Sequence, residues 1–424
     1  MENNLALILA YLERRIPGVF KQPGKRFPYP FIDPGSIYDG NLWDWDTYWT
    51  VYGLIAYAGM HPADETAFRE KLIRHGKGNV LNFLSFQLED GYIPMMVANN
   101  IQGDSEESYL IRKHREGHIL NMHKPFLCQQ AALVSDFCGD FGWLKDHAAQ
   151  FEKYFACYDQ YYLHAKTGLY VWADDVMIGM DNDPATFGRP RFSTANVFLN
   201  AFMVMELNAM AKISSKLGNK TRAAAYTRKA AALADAVQAN CWDARDRFFY
   251  SQDVDIKTRA YDWFHKGLGV FWSTLPIKIR TWTGFIPLLA GIATKEQAED
   301  IVRRHIKDEG TFASPYGIRS LSRDEKMYNL EATNNPSNWL GPIWLVVNYV
   351  VFRGLLNYGY INEAQDLYNK TFKLLDADLE TSGELHEYYV PETGEPVMSA
   401  GFLNWNMLVV SMAQELKTEG GGVK

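Results

Sequence analysis

Stretches of helix length, with apolar residues every three or four positions, recur along the whole chain and constrain its fold more than any other feature. They run Leu5–Ile16, Thr47–Met60, Ala67–Leu88, Pro125–Phe137, Trp143–Tyr162, Ala195–Leu217 and Lys220–Cys241, then Thr281–Ala290, Lys295–Ile306, Pro342–Tyr358, Asn362–Leu375 and Phe402–Leu416. That predicts about twelve helices, and they are not alike. Ile343–Phe352 is apolar on nearly every side and reads as buried, whereas Lys220–Ala236 alternates charges with alanine and reads as an outer helix. Alternating buried and amphipathic helices is what two concentric helical rings require. An α-solenoid would need a repeat of fixed period, and none is visible. No linker rich in Pro, Gly or Ser divides the chain, so 1–424 reads as one domain with an N-terminal helix and arm, about 1–37, packed on it.

The segments between helices are uneven. Lys21–Asp46, Glu89–His123, Trp172–Phe192, Thr311–Trp339 and Ser382–Ser399 are long and rich in Trp, Asp, Asn, Gly and Pro, while connections such as Gly359–Ile361 are tight. Long structureless segments within a compact domain are usually functional. Long loops at one end and short ones at the other describe a ring with a pocket on one face.

Composition narrows what that pocket meets. Aromatics make up 14% of the residues, with 12 Trp, 24 Tyr and 24 Phe. Some of that excess fills the core of a chain that is 47% hydrophobic; the rest suits a cleft where flat rings cover the C–H faces of a sugar. The net charge of −7, without a basic run, argues against nucleic acid as a partner. No run of 18 or more apolar residues is present, so no membrane span is expected. Met1–Asn4 lacks the basic and apolar regions of a signal peptide. Cys128, Cys138, Cys157 and Cys241 show no CxxC spacing and read as buried free thiols. Both features lead to the expectation of a cytoplasmic protein. The sequence carries no signal for an oligomeric state.

Three constellations carry chemistry. Tyr38–Trp49 packs five aromatics and three carboxylates into twelve residues. Asp46 before Thr47 suits a helix cap, but capping leaves two Asp interleaved with Trp unexplained. Carboxylates that accept bonds from vicinal hydroxyls, beside indoles that cover the ring, explain both. Gly179–Pro184 contains ordinary turn residues, yet an aromatic pocket can raise an aspartate's pKa as a general acid needs, which makes Asp181 a candidate. Gly383–Gly394 ends in a Pro-Glu-Thr-Gly turn between two short strands. Ahead of it Glu387, beside two tyrosines able to orient it, is the better candidate base and Glu384 the rival. Two carboxylates from distant loops are the minimum equipment for glycoside hydrolysis.

Competing chemistries fare worse. His114 and His118 are four apart with Arg115 between them, and His265 and His386 lack any HExxH or HxH pattern, so no metal site is expected. The Asp- and Asn-rich loops contain no EF-hand pattern. There is no nucleophile elbow, P-loop or dinucleotide fingerprint, and no cofactor is called for.

In order and spacing, these motifs resemble glycoside hydrolase family 63, most closely its short members that hydrolyse mannosylglycerate or glucosylglycerate, and more distantly family 37 trehalases. The resemblance spans about Tyr38 to Trp405. It rests on Trp43-Asp44-Trp45-Asp46, Gly179-Met180-Asp181-Asn182, Ser314-Pro315-Tyr316-Gly317, Asn338-Trp339-Leu340-Gly341-Pro342-Ile343-Trp344 and Glu387-Tyr388-Tyr389-Val390-Pro391-Glu392-Thr393-Gly394. It implies an all-α fold, the (α/α)6 barrel or six-hairpin toroid, with long loops forming a pocket on one face. It also implies an inverting α-glycosidase with Asp181 as general acid and Glu387 as general base. Trp43, Asp44, Asp46, Trp339 and Trp344 match substrate-pocket positions, and Tyr38, Asn182 and Tyr388 join the substrate-binding set. Two departures touch specificity: Met177-Ile178 stands where the family has Glu-Ser, and Leu340 where it has Arg.

The expected substrate is a small α-linked glucoside or mannoside, with glucosylglycerate or mannosylglycerate first. A glycerate carboxylate wants a cation, and Lys124, Arg189, Arg191 and Arg319 lie in or beside the long loops. If none faces the pocket, a neutral di- or oligosaccharide handled in an α-glucosidase or trehalase-like way is the alternative. A non-catalytic sugar-binding toroid is the reading from another class. A sugar epimerase would place histidines in the pocket as acid and base, and ranks lower.

Overall fold

The computed structural model describes residues 5–60, 65–98, 122–256, 273–331 and 337–420. Twelve α-helices occupy these residues. The odd-numbered ones are α1 (Ala6–Arg15), α3 (Glu65–Ser85), α5 (Ala148–Tyr161), α7 (Lys220–Cys241), α9 (Lys295–Ile301) and α11 (Ile361–Ser382). The even-numbered ones are α2 (Asp44–Ala58), α4 (Leu127–Cys138), α6 (Val197–Lys216), α8 (Ile286–Leu289), α10 (Leu345–Asn357) and α12 (Leu408–Gly420).

The two sets differ as the patterning predicts. The even helices are buried almost all round: every residue of α10 from Leu345 to Phe352 lies in the core. In α7 only Ala230, Leu233, Val237 and Cys241 are buried, a single stripe along an otherwise solvated helix. The even helices pack each on the next, from α2 through α4, α6, α8, α10 and α12, and α12 returns to α2. Three odd helices lie against them, α3 on α2 and α4, α7 on α6, and α11 on α10 and α12. The N-terminal α1 packs on α11. Beyond it, Phe20–Lys21 pairs with Phe31–Ile32. That arm crosses α3 so closely at Gly78 that a β-carbon there would collide with the Pro30 carbonyl.

Local chemistry sets the helix ends. Asn196 caps α6 by accepting from Phe198 N, and Asn219 caps α7 by accepting from Arg222 N. Thr294 and Gln297 form a reciprocal capping box on α9. Gly383, at φ +74°, stops α11 seven residues past the predicted end at Leu375. Other ends also move. Trp143–His147 falls within a 3-10 segment ahead of α5. Thr281–Ala290 shortens to a 3-10 turn and the single turn of α8. Pro342 and Ile343 stay extended because Ile343 exchanges both backbone hydrogen bonds with Tyr389. Asn404–Met407 is a 3-10 turn ahead of α12.

An all-helical expectation leaves out the short ribbons, of two or three strands, that stitch the loops. The one that matters for the site pairs Asn41–Trp43 with Met96–Ala98. Cys128, Cys157 and Cys241 are buried and in no disulfide, while Cys138 is only half-buried. By length and composition α6 could cross a bilayer, but it is largely buried here and carries the fully buried Glu206. His114, His118 and His265 lie outside the described residues.

Candidate active site

The chain enters the even helices through its long segments, and those segments converge on one cavity of about 350 Å³, within the range of small-molecule sites. Its walls come from the entry to α2 (Tyr38, Trp43, Trp45, Asp46), the loop before α6 (Asp175 to Phe187), and the entries to α10 (Trp339, Trp344) and α12 (Glu387, Trp405). The amino-terminal ends of these helices therefore face the pocket, and their partial positive charge suits acidic groups there.

At α2 the helix begins at Asp44, not at Thr47, because the Asn41–Trp43 strand delivers Trp43 in extended conformation directly into the first turn. Asp46 is therefore not the cap that its position before Thr47 suggests. It sits inside the first turn, lines the pocket and accepts from Asn404 Nδ2 at 2.6 Å. Burial pushes its pKa up to about 8, with the charges of Asp44 and Glu387 adding and that of Lys124 opposing. Asp44 points the other way. Its Oδ1 lies 2.7 Å from Lys124 Nζ and its Oδ2 accepts from Lys124 N at 2.7 Å, with both side chains fully buried.

Glu387 is 5% exposed and faces the cavity. Tyr38, 349 positions away, donates to its Oε1 at 2.9 Å. The two adjacent tyrosines, expected to orient it, are used elsewhere. Tyr389 donates to Asp378, and Tyr388 stacks on Trp344 with centroids 4.6 Å apart. Burial raises the Glu387 pKa most; the Ser399 and Tyr38 hydroxyls pull it down, and the negative charge of Asp181 adds to the rise. The rival Glu384 is outside the cavity, paired with Arg15 and accepting from Tyr11.

Asp181 stands on the turn after Gly179, whose φ of +74° favours glycine and where a β-carbon would sit tightly, 3.0 Å from Lys124 Nζ. The next residue clamps this turn to the opposite wall. Asn182 Oδ1 accepts from Trp339 N at 2.6 Å, and Asn182 Nδ2 donates to Asn338 Oδ1 at 3.2 Å. Trp339 and Trp344 stack at 3.9 Å and 5° between planes. Continued by Tyr388, they make one rigid aromatic layer.

Of the ten residues named from sequence, Asp181, Glu387, Tyr38, Trp43, Asp46, Trp339 and Trp344 line this cavity. Asp44, Asn182 and Tyr388 stand behind its wall, holding parts of it in place. The two family departures are displaced as well: Met177 and Ile178 are fully buried in the core, and Leu340 is not in the lining. Sequence reasoning passed over Trp45, Met95, Asp175, Phe187 and Trp405. Trp45 and Trp405 had a signal, each lying between Asp or Asn residues at the start of a helix.

None of the four candidate cations lines the cavity. Lys124 pairs with Asp44, Arg189 with Asp253, and Arg319 with Glu392 and main-chain carbonyls, while Arg191 is exposed outside the lining. The carboxyl groups of the lining are Asp46, Asp175, Asp181 and Glu387, and among the described residues no Lys, Arg or His joins them.

A family model described as the mannosylglycerate hydrolase MGH1-like glycoside hydrolase domain matches residues 39–405. Mannosylglycerate hydrolase MGH1 of Selaginella moellendorffii is 32% identical over 173 residues, 40% of this chain and 31% of that protein. A probable mannosyl-oligosaccharide glucosidase of Schizosaccharomyces pombe is 25% identical over 248 residues, 56% of this chain and 28% of that protein. The chain is thus aligned with less than a third of the length of these curated relatives. Among solved structures, the GH63 mannosylglycerate hydrolase from Thermus thermophilus in complex with glucose is similar with a TM-score of 0.65 and 18% identity, over 97% of this chain and 100% of that one. Neutral trehalase Nth1 from Saccharomyces cerevisiae gives 0.62 and 16%, over 93% and 75%. Likeness at such identities concerns the fold, a helix-dominated body shared with these glycosidases.

Proposed function

The chain belongs to the mannosylglycerate hydrolase MGH1-like glycoside hydrolase family, and from that premise we propose that it hydrolyses small α-glucosides or α-mannosides with inversion, Asp181 acting as general acid and Glu387 as general base. The observation that carries this reading is the arrangement of Glu387. It is buried, tied by one oxygen to Tyr38, and open to the same aromatic-floored cavity as Asp181, which is near enough for its charge to act on Glu387.

The steps follow from that placement. Asp181 gives its proton to the glycosidic oxygen as the bond from the anomeric carbon breaks, and the electron pair leaves with that oxygen. A water on the opposite face forms the new bond to the anomeric carbon while Glu387 takes its proton. Room for that water asks for a carboxyl separation of roughly 6.5–9.5 Å. The stacked indoles of Trp339 and Trp344 hold the ring, and Asp46 with Tyr38 meets its hydroxyls. Because Glu387 must be ionised to act, its raised pKa puts the acid limb of the rate profile above the ordinary glutamate range.

For the scaffold we propose a single-domain (α/α)6 barrel, supported by the closure of the even helices from α12 back to α2 with odd helices outside. Glycerate glycosides are the first substrate class to try by family. The commitment of Lys124, Arg189 and Arg319 to other partners favours the neutral di- or oligosaccharide class instead. The test is proton NMR of the sugar as it is released from an α-glycoside. The β-anomer first supports inversion, and the α-anomer first overturns the mechanism. A non-catalytic sugar binder would release neither.

A further inference from the structure

The outer half of the cavity is built by residues that the acid–base reading does not use. Between Asp181 and α6 the chain folds back on itself. Thr186 and Phe187 both donate their backbone N–H to the Asp183 carbonyl, and Thr186 Oγ1 donates to the buried Asp183 carboxylate at 2.8 Å. Gly188 N then donates to Asp175 Oδ2 at 2.8 Å, which fixes Phe187 next to Asp175 at the mouth. Phe187 is 59% exposed, although it is held in a tied loop and borders the cavity that contains Asp181 and Glu387.

We propose that Phe187 and Asp175 form the subsite for the leaving group, and that this subsite selects a second neutral sugar ring over a carboxylate-bearing aglycone. The proposal rests on the hydrolase reading above and names its substrate class: α-linked disaccharides. An exposed phenyl ring offers the flat apolar surface that the C–H face of a hexose covers. A neighbouring carboxylate accepts from the hydroxyls at the edge of that ring, through charge-assisted bonds. An aglycone carboxylate would meet Asp175 at the mouth, and like charges in a partly desolvated site repel strongly. Lys124, buried behind the wall, is already paired with Asp44.

The experiment compares kcat/KM on three substrate sets: α-glucosyl and α-mannosyl fluoride, the α-glycosides of glycerate, and the α-linked disaccharides of glucose and mannose in all linkages. Fluoride is a leaving group that needs no sugar subsite, so it reads the inner chemistry by itself. The wild type is expected to favour its best disaccharide over either glycerate glycoside by at least about tenfold. Phe187→Ala should lower the ratio of disaccharide to fluoride kcat/KM at least about tenfold, mainly through KM, and Phe187→Trp should restore it. Asp175→Arg should move the preference toward glycerate glycosides by a similar factor. A wild type that prefers a glycerate glycoside overturns the subsite, as does a Phe187→Ala variant that loses both activities in proportion. If fluorides are hydrolysed in those cases, the hydrolase reading survives without it. A wild type inert to all three sets sinks both.

Discussion

Glu206 and Glu387 are both carboxylates buried among aromatic rings, and they show how the same residue type serves structure in one place and suits chemistry in another. Glu206 lies in the middle of α6. Its Oε1 accepts from Cys128 N at 2.6 Å and its Oε2 from Gln129 N at 3.0 Å, so both oxygens satisfy the first turn of α4. Glu387 faces a cavity and accepts from Tyr38. Burial raises both pKa values, that of Glu206 to about 7. A raised pKa thus does not distinguish them; what each oxygen faces does. Asp44 and Asp46 repeat the contrast within one helical turn, Asp44 sealed against Lys124 and Asp46 on the pocket wall.

The largest expected effect would break this comparison most directly. Glu387→Gln should cost on the order of 10²–10⁴ in kcat and leave the denaturant midpoint nearly unchanged, since the amide keeps an oxygen that accepts from Tyr38. Asp181→Asn should cost as much on disaccharides and far less on glycosyl fluorides, whose departure needs little acid help. Near-full activity in Glu387→Gln would place that carboxylate with Glu206 as a structural group.

Next in size comes Asp44→Ala. Removing one partner of a fully buried ion pair leaves Lys124 uncompensated, a loss of about 3–5 kcal/mol in unfolding free energy. Urea unfolding measures it, and an unchanged midpoint would mean that Asp44 is not a structural member of the wall.

Glu206→Gln should be milder, about 1–3 kcal/mol at neutral pH, because an amide turns one donor toward a backbone N–H that then loses its acceptor. The activity of the folded fraction should hold, which separates this site from Glu387 in a single pair of assays.

The last test is in pH dependence. A carboxyl whose pKa is higher in the folded state binds its proton more tightly there, so its contribution is largest below the unfolded value. That contribution falls as pH rises toward the folded value. For Glu206 the window runs from about 4.5 to about 7. The wild type should therefore lose stability relative to Glu206→Gln across that window and stay level above it. Taking the difference between the two proteins removes His123, whose pKa, lowered to about 4 by burial, works in the opposite direction. A difference that grows in favour of the wild type with rising pH would contradict the assignment.

Much of this was legible in the chain because it is local. Periodicity marks a helix without reference to anything distant, and all twelve expected segments contain one. The Trp- and Asp-rich stretches could be read as pocket material because carboxylates are costly to bury among apolar rings without a task. Other parts had no local signal. Phe187 and Asp175 sit among ordinary turn residues, and Met95 looks like any core methionine. Glu387 was expected to be oriented by its neighbours, but Tyr38 reaches it from the far end of the chain.

What the sequence determined, then, is the set of helices, their division into buried and solvated kinds, and the long entries where acidic and aromatic residues collect. Each depends on spacing along the chain. Tertiary structure decided which face of each entry meets the cavity. Moving the start of α2 from Thr47 to Asp44 settles the roles of two aspartates, because residues two apart on a helix point about 200° apart. It also decided that Lys124 and Arg319 meet partners within the protein, Asp44 for one and Glu392 with main-chain carbonyls for the other. That outcome depends on which groups the closing ring brings together, and sequence spacing does not record it.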